Sequence, residues 1–198
     1  MSTKNKEPMR IWEIVCKTDP SVVKNTGRAG GLKAICAQSQ LKEATKLWGP
    51  YGEKWGINNL SFEYLPLGSE TPIEIALTGT FYFPDGEFEM SNDMAYRPGQ
   101  ECRKKLITDL RSKCLSTLGF NSDVFEGMYD DNRYVQQLQN EKQNADAYRR
   151  AEEAIRKADN TDTLAKIREF IPKNNLSSAQ QDTLTRMVDS RTKELAGV

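Results

Sequence analysis

Five cations crowd one short stretch of the chain. Arg103, Lys104, Lys105, Arg111 and Lys113 fall within residues 100–119, against only Glu101 and Asp109. A second group, Lys24, Arg28 and Lys33, is threaded through glycines in KNTGRAGGLK, residues 24–33. Cations arrayed along a surface are what a phosphate backbone requires, and such binding is independent of base sequence and sensitive to salt. Bond-making chemistry is poorly provided for. The chain has no histidine, which removes His-based triads and His general bases. Cys16, Cys36, Cys102 and Cys114 form no close pair of the kind zinc sites use, and they read as buried reduced thiols. Residues 24–33 lack both the Walker spacing and the dinucleotide fingerprint, so composition alone reads them as a flexible surface loop. Glu74, Asp85, Glu87 and Asp93 could be metal ligands of a nuclease, the weakest of the readings, but are read as ordinary solvated carboxylates on strands and turns. No catalytic residue, metal ligand or cofactor is expected, and the chain is not read as an enzyme.

The elements that must position these cations follow from periodicity. Across residues 100–119 the apolar positions are Cys102, Leu106, Ile107, Leu110, Cys114, Leu115 and Leu118, the spacing of one helical face. Pro98 and Gly99 precede this helix, and Gly119 supplies a left-handed stop. Earlier in the chain Ala37, Leu41, Ala44, Leu47 and Trp48 predict another helix, ended by Gly49-Pro50-Tyr51-Gly52. Residues 60–67, 73–83 and 87–90 are β-branched, aromatic or alternating, with a Pro84-Asp85-Gly86 turn, and predict a three-stranded antiparallel meander. Met9 to Cys16 predicts a first short helix or strand. The predicted class is therefore α+β, an antiparallel meander packed against helices.

The C-terminal third differs in character. Residues 136–160 are charged nearly all round and read as an exposed helix or a linker. Residues 161–198 predict a helical hairpin. Its first helix is lined by Leu164, Ile167 and Ile171, its second by Leu184, Met187, Val188 and Leu195, and Ser177 with Gln180 forms a capping box. So short a pair buries little alone and should dock on the core, a partner or another copy. The expected division is a core over 1–135, a charged helix or linker over 136–160, and the hairpin over 161–198.

Net charge is zero, yet it is unevenly spread: +5 over residues 1–60, −6 over 61–99 and +3 over 100–119. Folding could gather the two basic segments on one surface. No apolar run approaches the ~20 residues that span a bilayer, and the first residues, MSTKNKEPMR, show no apolar signal core, so a cytoplasmic protein without membrane contact is expected.

The order of these pieces carries a resemblance. RAGGLKAIC (residues 28–36), a helix ending LWGPYGEKWG (47–56), three strands, then KKLITDLRSKCLSTLG (104–119) resembles the Rad-fifty-two superfamily of single-strand annealing proteins, phage-type members above all. The resemblance spans roughly residues 10–135. It implies a Rad-fifty-two-like core that binds single-stranded DNA and anneals complementary strands without a nucleotide cofactor, in recombination and repair. It further implies assembly into a ring or arc, and a phage protein working in a bacterial host. Carried across position by position, Arg28 and Lys33 match cations around the glycines, Lys113 matches a cation of the late helix, and Thr108-Asp109 matches its signature pair. Ser112 and Ser116 stand where some relatives carry cations, a loss for which Lys104, Lys105 and Arg111 are the expected compensation. Tyr51 and Trp55 are candidates for base stacking, with Trp55 favoured as core. The C-terminal helices are the expected contact for a single-strand-binding protein or an exonuclease. The alternative class is an end-protecting or structural module that binds strands or proteins without annealing.

Overall fold

The computed structural model describes residues 8–25, 33–66 and 73–196. It is an α+β chain dividing into two units, Met1–Asp130 and Asp131–Val198. In the first unit, helix α1 (Arg10–Val15) leads to a small antiparallel pair, β1 (Val23–Asn25) with β2 (Lys33–Ile35), and then to α2 (Ala37–Trp48). The meander follows as β3 (Gly56–Leu65), β4 (Glu74–Phe83) and β5 (Gly86–Ala95), in spatial order β3-β4-β5. Helix α3 (Cys102–Thr117) and the one-turn helix α4 (Ser122–Phe125) complete it.

Alternation along the central strand decides which face is inside. Ile75, Leu77, Gly79 and Phe81 of β4 are buried, and α3 lies against β4 and β5 on that face with Leu106, Leu110 and Cys114 fully enclosed. Strand β3 is not straight. A register shift between Asn58 and Ser61, with Asn59 at φ 54°, brings both Ile57 and Leu60 onto the inner face. They meet over Gly79, where a Cβ would lie 2.7 Å from Ile57 Cγ2 and 2.9 Å from Leu60 Cδ2. On the same face α2 packs beside α3 and contributes Ala44 and Trp48. Trp48 packs on Trp55 at 5.7 Å and on Phe120 at 5.5 Å between ring centroids, and the Trp55 indole donates to Gly49 O at 2.8 Å. Trp55 is wholly enclosed, as expected of a core residue.

The strands are longer than their apolar cores. Strand β3 begins four residues before Leu60, and β5 continues five residues beyond Met90, because backbone pairing with β4 carries polar positions such as Asn58 and Asp93 into the ladder. Two of the four cysteines also depart from expectation: Cys102 and Cys114 are buried, whereas Cys16 is half-buried and Cys36 is exposed. Burial raises the Cys114 thiol to about 11. It therefore stays protonated at neutral pH and behaves as a small apolar side chain.

In the second unit, α5 (Asn132–Lys157), α6 (Thr161–Phe170) and α7 (Ser178–Ala196) share one core of Ala151, Ile155, Ala158, Leu164, Ile171, Leu176, Leu184 and Val188. Residues 136–160 are thus helical almost throughout, and the end of α5 is a packing partner rather than a linker. The hairpin of 161–198 finds its cover within the chain. The stripe that α5 adds to this core is hard to see because Ala147 and Ala151 carry much of it, with Tyr148 and Ile155 as its large members. The charged flank is used locally: Glu152 pairs with Arg156 and Glu153 with Lys157, each at 2.6 Å.

The capping box is present. Ser177 N donates to Gln180 Oε1 at 3.0 Å, and Gln180 N donates to Ser177 Oγ at 3.3 Å. Ser177→Ala removes one half of this exchange and is expected to cost about 1 kcal/mol. Urea unfolding followed by far-ultraviolet circular dichroism measures the loss.

Candidate nucleic-acid interface

Of the six cations singled out in the sequence, Arg28 lies outside the described residues. Lys33 opens β2 opposite Asn25, while Lys24 of β1 lies opposite Ala34. In a paired ribbon these positions alternate, so Lys24 and Lys33 occupy opposite faces. The ends of the glycine-containing stretch are therefore strand, not loop. Three residues on each side give too short a period to be recognised in sequence.

The remaining four cations sit on α3, whose buried ridge Cys102, Leu106, Leu110 and Cys114 advances by four residues at each step. Lys104 and Arg111 are seven apart and fall on nearly the same side. Lys104 and Lys113 are nine apart, about two and a half turns, and face opposite ways. Lys113 borders a depression of about 440 Å³ with Met90, Asp109, Ser112, Ser116, Thr117 and Phe125. Lys104 Nζ is 3.1 Å from Glu101 Oε2, and Lys105 Nζ donates to Gln100 Oε1 at 3.3 Å. One helix thus divides its cations between two flanks instead of lining a single wall.

The flank towards β3 holds Arg103, a cation of residues 100–119 outside the expected strand contacts. The Arg103 guanidinium carbon lies 4.2 Å above the centre of the Phe62 ring, and that of Arg111 lies 5.8 Å from the centre of the Tyr51 ring. Tyr51 is 41% exposed and stands edge-on to buried Trp55 at 5.1 Å, so of the two aromatics named in the sequence only Tyr51 offers a surface. Burial raises the Tyr51 phenol above its ordinary range, against the lowering effects of the Ile57 backbone and the Arg111 charge, and it is neutral at physiological pH. Arg103 was visible as a cation; its pairing with Phe62 depends on β3 register and was not.

A second basic region is created by folding alone. Lys42 and Lys46, one turn apart on α2, border a groove of about 570 Å³ together with Lys17 from the turn after α1. Its floor is apolar, with Val15, Leu47 and Phe120, and its carboxylates are engaged: Glu43 pairs with Lys46 at 2.7 Å, and Asp19 accepts from Ser21 N at 2.9 Å.

The opposite surface of the sheet has the other sign. Register places Glu63, Glu74, Glu87, Glu89 and Asp93 on the face away from α3, and β3, β4 and β5 carry no lysine or arginine. Among the described residues no three of His, Cys, Asp and Glu gather to hold a metal ion, and no helix is long and apolar enough to cross a membrane. Comparison with protein-family models, curated proteins and solved structures finds no match to the chain.

Proposed function

We propose that this chain binds single-stranded DNA through its phosphate backbone and anneals complementary strands without ATP or metal, working as a ring or arc of copies in phage-type recombination. The observation that carries this reading is the separation of charge across the sheet. Five carboxylates occupy the outer face, while the helix on the inner face bears five cations. A polyanion is repelled from one side of the layer and attracted to the other, which orients its approach before any contact forms. The resemblance in residues 28–36, 47–56 and 104–119 names the polyanion as a single strand. Backbone binding suits annealing because it leaves the bases free to pair. The Asp131–Val198 unit, with a core of its own, is the proposed contact for a single-strand-binding protein or an exonuclease.

The direct test mixes complementary labelled oligonucleotides with the protein in the absence of ATP and metal, across a salt series. Pairing faster than the spontaneous rate, fading as salt rises, is expected. Binding with nuclease protection but no effect on pairing would instead favour an end-protecting module. Lys105→Glu with Lys113→Glu reverses two exposed charges outside the core. This pair is expected to weaken strand binding at least about tenfold near 0.1 M salt while leaving the melting temperature in place.

A further inference from the structure

Arginines stacked on aromatic rings lose part of their freedom before any ligand arrives. The ring occupies one face of the guanidinium, and the in-plane N–H groups remain directed outward in a fork that fits phosphate oxygens. Arg103, 4.2 Å above the Phe62 ring of β3, is such a group, and Arg111, 5.8 Å from the Tyr51 ring in the turn before β3, keeps a looser cation–π contact. Eight residues separate them on the helix, about 12 Å along its axis. At that separation they engage two different phosphates of one strand rather than a single phosphate from both sides.

Both platforms are anchored. Phe62 packs against the first unit's core from β3, and Tyr51 rests on Trp55, whose indole is tied to Gly49 O. Neither guanidinium has a carboxylate partner among the described residues, whereas neighbouring Lys104 is already paired with Glu101. The acids of β3 to β5 point from the other face of the sheet, so no carboxylate of these strands competes at this border. A pair of arginines, each against an aromatic ring and neither neutralised by a carboxylate among the described residues, offers two points for phosphates.

We infer that Arg103 and Arg111, held by Phe62 and Tyr51, form a two-point clamp for successive segments of a phosphodiester backbone along the α3–β3 border. The inference rests on the single-strand reading and deepens it: Arg103 becomes a principal contact, and binding strength depends on ring-backed arginine forks as well as on charge. A strand held there lies with its phosphates towards the protein and its bases outward.

The test measures binding of a fluorescent oligothymidine to the full chain over a salt series. Arg103→Gln with Arg111→Gln removes two phosphate contacts and is expected to reduce the slope of log K against log salt by about 1.4, the value for two charges on a single strand. Arg103→Lys with Arg111→Lys keeps the charges but loses the planar forks. It is expected to bind several-fold more weakly with the slope nearly unchanged. Both variants alter side chains outside the core, Arg103 exposed and Arg111 half-buried, and their melting curves confirm folding. If the glutamine variant fails to fold, the lysine variant decides alone, since wild-type affinity in it overturns the clamp. An unchanged slope in a folded glutamine variant, beside normal wild-type binding, overturns the clamp and leaves the single-strand reading standing. A wild-type chain that binds no single strand overturns both.

Discussion

Asp123→Ala is expected to destabilise the Met1–Asp130 unit by roughly 3–5 kcal/mol, enough to consume much of an ordinary domain's stability. Asp123 is 3% exposed and serves as the hub of a buried polar latch. Its carboxylate accepts from Thr18 N at 2.8 Å, from the Thr18 hydroxyl, and from Val124 N at 2.9 Å. Around it, Asn121 Nδ2 donates to Thr18 Oγ1 at 2.9 Å and the Tyr129 hydroxyl donates to Thr18 O. Alanine leaves the buried Thr18 N–H and hydroxyl without an acceptor, while Val124 N keeps Asn121 O at 3.1 Å; each orphan costs about 1–3 kcal/mol before any relaxation. The latch joins the turn after α1 to α4, segments more than a hundred residues apart, so its loss also frees the N-terminal helix. All three tryptophans, Trp12, Trp48 and Trp55, lie in this unit, so urea unfolding followed by tryptophan fluorescence isolates it. Thr18→Val, which deletes only the hydroxyl, should cost less than half as much. A loss below about 1 kcal/mol for Asp123→Ala would mean that water satisfies the latch and that it carries little stability.

The latch was not legible in the sequence, and the reason is general. Thr18-Asp19-Pro20 reads as a helix break, and residues 120–135 read only as a stretch with enough apolar side chains to finish the core. Nothing local shows that Thr18 meets Asp123, because that pairing exists only once α3 has crossed the sheet. What sequence does disclose is whatever depends on short period. The alternating and β-branched runs placed the meander, the 3.6-residue stripes placed α2 and α3 within two residues, and the Ser177–Gln180 pattern placed the start of α7. The β1–β2 pair failed that criterion by being three residues long on each side. The packing role of α5 failed it because alanine gives a weak stripe.

The cations show a subtler limit. Their presence on one helix was evident, but their direction was not. An apolar ridge advancing in steps of four drifts around the helix by about 40° per step. The buried face therefore rotates along α3: Arg103 and Arg111, two such steps apart, keep to one flank, while Lys104 and Lys113, nine residues apart, point to opposite sides of the axis. The acids behave in the contrary way: strand alternation turned a −6 segment into a one-sided acidic face, a conversion that follows directly once the register is known. Charge blocks in sequence thus showed that the charge is uneven, and the basic segments could share a surface. Only the fold could say that the division runs through the plane of the sheet, and that the helix side is split into an arginine–aromatic border and a separate Lys113 flank.

Gly119→Ala is the second substitution with a large expected effect, and it separates two roles that coincide at one atom. Gly119 ends α3 with φ 95° and donates its N–H to Ser116 O at 2.9 Å, the left-handed stop predicted from its position. The structure adds a neighbour: a Cβ on Gly119 would lie 2.5 Å from Trp12 Cδ2 and 2.6 Å from Trp12 Cε3. Alanine must therefore bear a left-handed backbone, about 1–2 kcal/mol, and displace an indole, about 1–3 kcal/mol. A drop in melting temperature of at least about 5 °C is expected by tryptophan fluorescence. Gly119→Asn tolerates the backbone conformation better but keeps the Cβ, so it should fall between alanine and wild type. Introducing Trp12→Leu into both, followed by circular dichroism, should relieve most of the asparagine defect and only part of the alanine defect. If alanine and asparagine are equally damaging and equally rescued, the indole contact rather than the backbone dictates glycine at this position. If neither is rescued, α1 does not pack on the end of α3 as described.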